Sequence, residues 1–182
     1  MEPPDGAADG SAPSVATAIP NRDAREEDLL AVLEIYNEVM ATSTAIYSEQ
    51  PSTLEDRIVW WQGRVGAGYP VLVAEDASGV TGFASFGDFR PRPGYRFTVE
   101  HSVYVRADRR GRGIGGALMT PLIDRAAALG KHVLVAGVDA DNAASLRFHE
   151  RLGFERVAHF REVGFKFGRW LDLVFLQRTL GT

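Results

Sequence analysis

The 182-residue chain has no cysteine, which excludes disulfides, thiol nucleophiles and cysteine-ligated zinc. Its four histidines, His101, His132, His149 and His159, show no HExxH or other close ligand spacing, so no metal site is expected. No run approaches the ~20 apolar residues needed to cross a bilayer. Positive charge is not in excess: 20 Lys and Arg against 24 Asp and Glu leave a net −4. General attraction to nucleic acid or to an acidic membrane is therefore not expected. GxxxxGK[ST], the phosphate loop of nucleotide-binding proteins, is missing, and there is no internal repeat.

What is present suits one soluble domain. Apolar residues make up 45% of the chain and charged residues 24%, and the length suffices for one substantial core but not two. The opening stretch, "MEPPDGAADGSAPSVATA", has no large side chain, no basic start and no apolar segment. Residues 1–18 are expected to be a disordered tail rather than a signal peptide, with a folded domain over 19–182 and a cytoplasmic location.

A short strand and a helix are expected from "IPNRDAREEDLLAVLEIYNEVMAT", where Leu29, Leu30, Leu33, Tyr36, Asn37 and Met40 recur at helical spacing. Ser52 with Glu55 three residues on is a capping-box pattern opening a second amphipathic helix. "YPVLVAE" and "VTGFASFGDF" predict an antiparallel hairpin, and "RPRPGY" a loop. In the strand "RFTVEHSVYV", Phe97, Val99, His101, Val103 and Val105 share one face; Arg96, Thr98, Glu100, Ser102 and Tyr104 share the other. A histidine on that apolar face suggests a nearby bulge that re-aims the following side chains; a lone core histidine is the alternative. A helix to about Leu129, a buried strand "KHVLVAGV", a short helix over "NAASLRFHERLG" and two final strands complete the order β-α-α-β-β-β-α-β-α-β-β. This is an α/β domain with a central mixed sheet, antiparallel early and parallel across the third helix.

The most informative segment is "RRGRGIGG", residues 109–116, between a strand and a helix. Gly111, Gly113 and Gly116 satisfy GxGxxG, and Asp139 lies a little over twenty residues on, as in a dinucleotide site. Yet "RADRR" separates the strand from the first glycine, and no room remains for a second mononucleotide-binding half. In the register Arg110-x-x-Gly113-x-Gly115, backbone N–H groups at a helix N-terminus make a concave anion site, with glycines admitting close approach of a pyrophosphate. Arg106, Arg109, Arg110 and Arg112 add charge suited to further phosphates.

"HSVYV", "RRGRGIGG", "HVLVAGV" and "NAASLRFHERLGF" together resemble the acetyl-CoA core of the GNAT acetyltransferases. "IYNEV", "FGDFRPRPGYRFTVEHSVYV", "SLRFHERLGF" and "GFKFGRWLDLVFLQRTL" narrow the likeness, from about Asn21 to Leu180, to the phosphinothricin and methionine sulfoximine/sulfone N-acetyltransferase branch. The resemblance implies the GNAT acyl-CoA N-acyltransferase fold, acetyl-CoA as co-substrate and no metal. It also implies direct acetyl transfer to the α-amino group of a small amino-acid-like acceptor, and a homodimer. His149 stands where many members of the superfamily have Tyr, and this branch commonly has His there.

The resemblance places Arg110, Gly111, Arg112, Gly113, Ile114, Gly115 and Gly116 on the CoA pyrophosphate. It places Val103, Tyr104, Val105, Asn142 and Ser145 along the pantetheine arm. Val103 and Val105 would present backbone groups as an added strand does, and their N–H groups could polarise the thioester carbonyl. Glu100, a carboxylate in a β-branched strand, is the candidate base for the acceptor amine; a solvent-facing strand position or a structural ion pair with Arg96 is the alternative. His149 could protonate the departing thiolate or only hydrogen-bond in the crevice. Asn142 would also cap its helix. Acceptor selection is assigned to Phe89, Arg90, Arg92, Tyr95 and Ser102, beside Glu100, with Arg90 first and Arg92 second as the clamp on a substrate carboxylate. Trp170 is expected to pack, and Lys166 or Arg169 to pair with Asp172. Two other readings stay open: an acetyltransferase for protein or peptide N-termini, and a CoA-binding regulator without catalysis.

Overall fold

The computed structural model describes residues 19–181; the tail expected over residues 1–18 lies outside them. The elements run β1 (Asn21–Asp23), α1 (Leu29–Thr42), α2 (Leu54–Gly66), β2 (Val71–Asp76), β3 (Gly79–Asp88), β4 (Thr98–Val105), α3 (Ile114–Ala128), β5 (Val133–Asp139), α4 (Ala143–Arg151), β6 (Glu155–Lys166) and β7 (Arg169–Thr179). This is the expected order.

The strands form one seven-stranded sheet, β1-β2-β3-β4-β5-β7-β6, in which β4 and β5 are the parallel pair and the other neighbours are antiparallel. Strand alternation gives the sheet two apolar faces. Leu72, Ala84, Val99, Leu134 and Val138 pack with Leu118, Met119 and Leu122 of α3 on one side. Val73 and Phe83 pack with Val32, Ile35 and Val39 of α1 on the other.

Local chemistry sets the helix ends. The box that opens α2 lies one residue beyond the expected one: Thr53 Oγ1 accepts from Asp56 N, and the Asp56 carboxylate accepts from Thr53 N. Both pairs have box spacing in the sequence, and backbone entry at Thr53 selects the second. The inward stripe of α1 is Leu29, Val32, Ile35, Val39 and Met40, while Leu30 is exposed. Gly130, at φ 68°, follows α3 as expected.

Two expectations fail. No bulge lies near His101, because the β3–β4 ladder runs unbroken from Gly82↔Val105 to Asp88↔Val99. In the "KFGRW" turn, Lys166 is buried and donates to three main-chain carbonyls, Arg169 pairs with Asp141, and Asp172 takes His159. Trp170 does pack, edge-on against Phe165, but at the surface.

Candidate active site

The parallel strands β4 and β5 pair only over Thr98–Glu100 with Val133–Val135. Beyond Glu100 they diverge: β4 stays on β3, and β5 stays on β7 as far as Asp139. The edge of His101–Val105 that faces β5 therefore has no strand partner, and a gap opens through the sheet.

Two cavities meet at the gap. The smaller, about 210 Å³, is lined by Glu100, Ser102, Gly137, Asp139 and His149 among others. The larger, about 590 Å³, is lined by Arg110, Gly111, Gly113, Gly115, Gly116 and Phe148 among others. Val103, Tyr104, Asn142 and Ser145 border both.

The larger cavity lies over the start of α3. Gly113, the residue before the helix, has φ 83°, and Gly111 has φ 75°, left-handed values that favour glycine. The first intrahelical bond runs from Ala117 N to Gly113 O at 3.0 Å. The N–H groups before it have no helical partner and are free to bind an anion. Gly115 serves packing: a Cβ there would lie 3.2 Å from the Phe148 ring. At Gly116 a Cβ would meet nothing within 4 Å. The arginines divide. Arg109 is held by Asp76 and Asp108, and Arg106 by Asp108. Arg110 is exposed, its Nε donating to Val105 O at 3.2 Å, and Arg112 is exposed. Of these loop arginines Arg110 and Arg112 have no carboxylate partner among the described residues, and Arg151 of α4, also exposed, lines the larger cavity beside Arg110.

Asn142 caps α4, its side-chain oxygen accepting from Ser145 N at 3.0 Å. His149 is buried, with Nδ1 2.7 Å from Ser145 O. A carbonyl only accepts, so Nδ1 carries the proton. Burial lowers the His149 pKa, and Nε2 is left buried, basic and without a partner. Its ring lies 5.1 Å from that of His101, whose pKa burial and His149 push down to about 3.

Glu100 is half-buried, and burial raises its pKa against the weaker opposing charge of Arg90. Across the gap stands Gly137, where a Cβ would lie 3.2 Å from Glu100 Oε1. The missing side chain keeps the ground beside the carboxylate clear. Arg96, the alternative partner of Glu100, instead lies over the Phe97 ring and donates to Pro93 O.

The loop expected to select the acceptor lines neither cavity. Phe89 is half-buried against Tyr95 and Phe175, with ring centroids 6.0 and 6.2 Å away. Arg90 lies over the Phe89 ring at 5.0 Å, and Arg90, Arg92 and Tyr95 are exposed. Of these, Arg90 is the residue whose charge reaches Glu100. The structure thus brings together Glu100, Ser102, Val103, Tyr104, Asn142, Ser145 and His149, and leaves the Arg90 loop at the rim. Sequence reasoning missed Tyr47, Gly137 and Asp139 as lining residues. A glycine two residues before a strand-end aspartate was the available signal for the last two.

A sheet split between two parallel strands, with an open helix N-terminus at one end and a half-buried carboxylate at the other, suits transfer from a long phosphorylated donor to a nucleophile. Residues 32–154 match the Acetyltransferase (GNAT) family, and the chain belongs to that family. It is 53% identical over 160 residues, 87% of this chain and 93% of the relative, to an L-methionine sulfoximine/L-methionine sulfone acetyltransferase of Pseudomonas aeruginosa. A phosphinothricin acetyltransferase from Sinorhizobium meliloti, solved in complex with acetyl-CoA, superposes with a TM-score of 0.88 at 40% identity, covering 91% of this chain and 90% of that one. A ribosomal-protein-alanine N-acetyltransferase from Brucella melitensis superposes with a TM-score of 0.88 at 47% identity, covering 89% and 100%. The protein is an N-acetyltransferase.

Proposed function

We propose that the protein moves an acetyl group directly from acetyl-CoA to the α-amino group of a small amino-acid-like acceptor of the methionine sulfoximine, methionine sulfone or phosphinothricin kind. The observation that carries this reading is the gap between β4 and β5. It joins the cavity over the α3 N-terminus to one that holds a carboxylate of raised pKa. The names of the Pseudomonas and Sinorhizobium proteins supply the acceptor class.

The free N–H groups before Ala117, with Arg110 and Arg112, suit a pyrophosphate. The unpaired edge of Val103–Val105 suits the amide groups of the pantetheine arm, which would complete the sheet there. At the reacting end, Glu100 takes the ammonium proton, directly or through one water. The amine nitrogen then bonds to the thioester carbon, the carbon–sulfur bond breaks, and the extra proton left on nitrogen passes to the departing thiolate, directly or through water, to give the amide and the free CoA thiol. A main-chain N–H of β4 aimed at the carbonyl oxygen would contribute about 3 kcal/mol to that step. His149, neutral with its proton committed to Ser145 O, is an acceptor toward the pantetheine arm and not the acid for the thiolate. At the rim, Arg90 holds the acceptor carboxylate, near enough to Glu100 for its charge to be felt there.

The protein works as a homodimer in the cytoplasm. Exposed Phe160, Val163, Phe165, Phe167 and Trp170, clustered on β6, β7 and their turn, support the dimer. The test is thiol release from acetyl-CoA with methionine sulfoximine, methionine sulfone, phosphinothricin, the free amino acids and an alanine-ended peptide. Acetylation of the first three, weakened by Arg90→Ala with acetyl-CoA KM unchanged, is expected. Acetylation of the peptide alone would give the site to protein N-termini, and no thiol release at all would leave only a CoA binder.

A further inference from the structure

Asp139 ends β5 and is 3% exposed. Its Oδ1 accepts from Asp141 N at 3.0 Å, a turn bond, while its Oδ2 is buried and has no partner. A buried carboxylate with an empty oxygen is costly unless something fills it. Two donors near this end of β5 are committed elsewhere. The Tyr47 hydroxyl donates to Asp172 O at 3.0 Å, and Arg169 pairs with Asp141 at 2.9 Å. Asp139 also lines the Glu100 cavity. It shares a strand face with Gly137, the residue whose missing side chain leaves room beside Glu100 Oε1.

We propose that Asp139 is a second acceptor-binding residue, whose Oδ2 receives an N–H of the substrate ammonium while Glu100 receives the proton that must leave. One step of two residues along a strand covers about 7 Å. Two oxygens that each hold one nitrogen at about 3 Å stand up to about 6 Å apart. A small lean of either side chain closes the difference, and Gly137 puts nothing in the way. The acceptor is then selected twice, by its carboxylate at the rim and by its cationic nitrogen at the floor. Asp139 takes no part in the bond changes.

This inference rests on the amino-acid reading, and Asp139→Asn tests it. Asparagine keeps an oxygen for Asp141 N and removes the charge. Acceptor KM should rise about tenfold or more while kcat changes less than about threefold and acetyl-CoA KM stays put. A second measurement uses 4-(methylsulfonyl)butanoate, the des-amino analogue of methionine sulfone, as an inhibitor. With no ammonium to lose, it should bind the variant as well as the wild type, or more tightly. An unchanged acceptor KM would overturn the proposal and leave Oδ2 to a water. Equal loss of acceptor and des-amino analogue would overturn it too, as simple damage to the cavity. A wild type that ignores amino acids but acetylates the alanine-ended peptide would sink the amino-acid reading by itself. The Asp139→Asn comparison would then be made on the peptide ammonium, with the same result required.

Discussion

Lys166 and Asp139 are both charged and both almost wholly buried, yet their surroundings are opposite. The Lys166 ammonium has no exposure and donates to the carbonyls of Met40, Ser43 and Ile46, the last two at 2.7 Å. Its three protons tie the end of α1 to the segment that brings Ala45 and Tyr47 to the small cavity. At the gap between β4 and β5, by contrast, Asp139 Oδ2 and His149 Nε2 have no partner, and Glu100 carries the raised pKa of a carboxylate short of water. Where the protein closes every bond of a buried polar group, that group is architecture. Where it leaves bonds open beside a cavity, a water or a ligand must supply the missing partners.

The strongest way to break that contrast is Glu100→Gln. Shape is kept and the base is lost, so kcat should fall by about 10²–10⁴-fold with acetyl-CoA KM nearly unchanged. Stability should not suffer. Burial raises the folded pKa of Glu100 above its unfolded value, so its ionisation costs stability as pH rises through the usual carboxylate range. Glutamine removes that cost, and the variant should melt at or slightly above the wild-type temperature at pH 8. A variant with wild-type kcat and a lower melting temperature would move Glu100 to the architectural side.

Lys166→Met is the converse. Three carbonyls lose their donor, which should cost about 3 kcal/mol. For a domain of this size the melting temperature should fall by about 6–12 °C. The turnover of the molecules that stay folded should remain within about threefold of wild type, measured well below the transition. A variant that melts normally but has lost its turnover would place Lys166 in the chemistry.

Gly116→Val should have a smaller effect, confined to the donor. A Cβ at that position meets nothing within 4 Å, yet the residue lines the larger cavity. The branched side chain should therefore fold easily and still crowd the pyrophosphate, raising acetyl-CoA KM about tenfold with acceptor KM unchanged. Gly113 is a poorer probe because φ 83° strains any side chain there.

The same contrast separates what the sequence discloses from what it hides. Each element of the fold was legible, because strand alternation, helical spacing and the glycine stops are local signals. The glycine loop and the helix it opens were equally plain in "RRGRGIGG". The capping box slipped by one residue because Ser52/Glu55 and Thr53/Asp56 have the same spacing and only the backbone chooses between them. Lys166 could not be paired correctly, since its acceptors are main-chain carbonyls more than a hundred residues away, and main-chain groups leave no mark in side-chain patterns. Asp139 drew notice only for its distance from a glycine motif. Its burial beside Glu100 depends on β5 leaving β4, which no local pattern encodes.

His101 is the case that sharpens the comparison, because both its nitrogens are buried without partners and it borders the small cavity, yet it packs against His149 and Phe154. If it is architecture, its polarity is a cost, and the cost has a pH signature. Its folded pKa is pushed down to about 3, whereas a histidine in an unfolded chain titrates near about 6.5. Between those values the unfolded state binds a proton that the folded state refuses. The stability that neutral His101 allows is therefore fully present above about pH 6.5 and drains away as the pH falls toward 3, by about 1 kcal/mol per pH unit. His149, lowered in the same direction, adds to the slope. His101→Phe keeps a flat ring against Phe154 and removes one of the two contributions. Urea denaturation from pH 8 to 4.5 should show little change at pH 8 and a variant increasingly more stable than wild type below pH 6, with kcat at pH 8 within about threefold. A variant with the wild-type pH dependence and a kcat lowered by a hundredfold would show that a ligand uses those nitrogens, and His101 would join Glu100 and Asp139 on the open side of the gap.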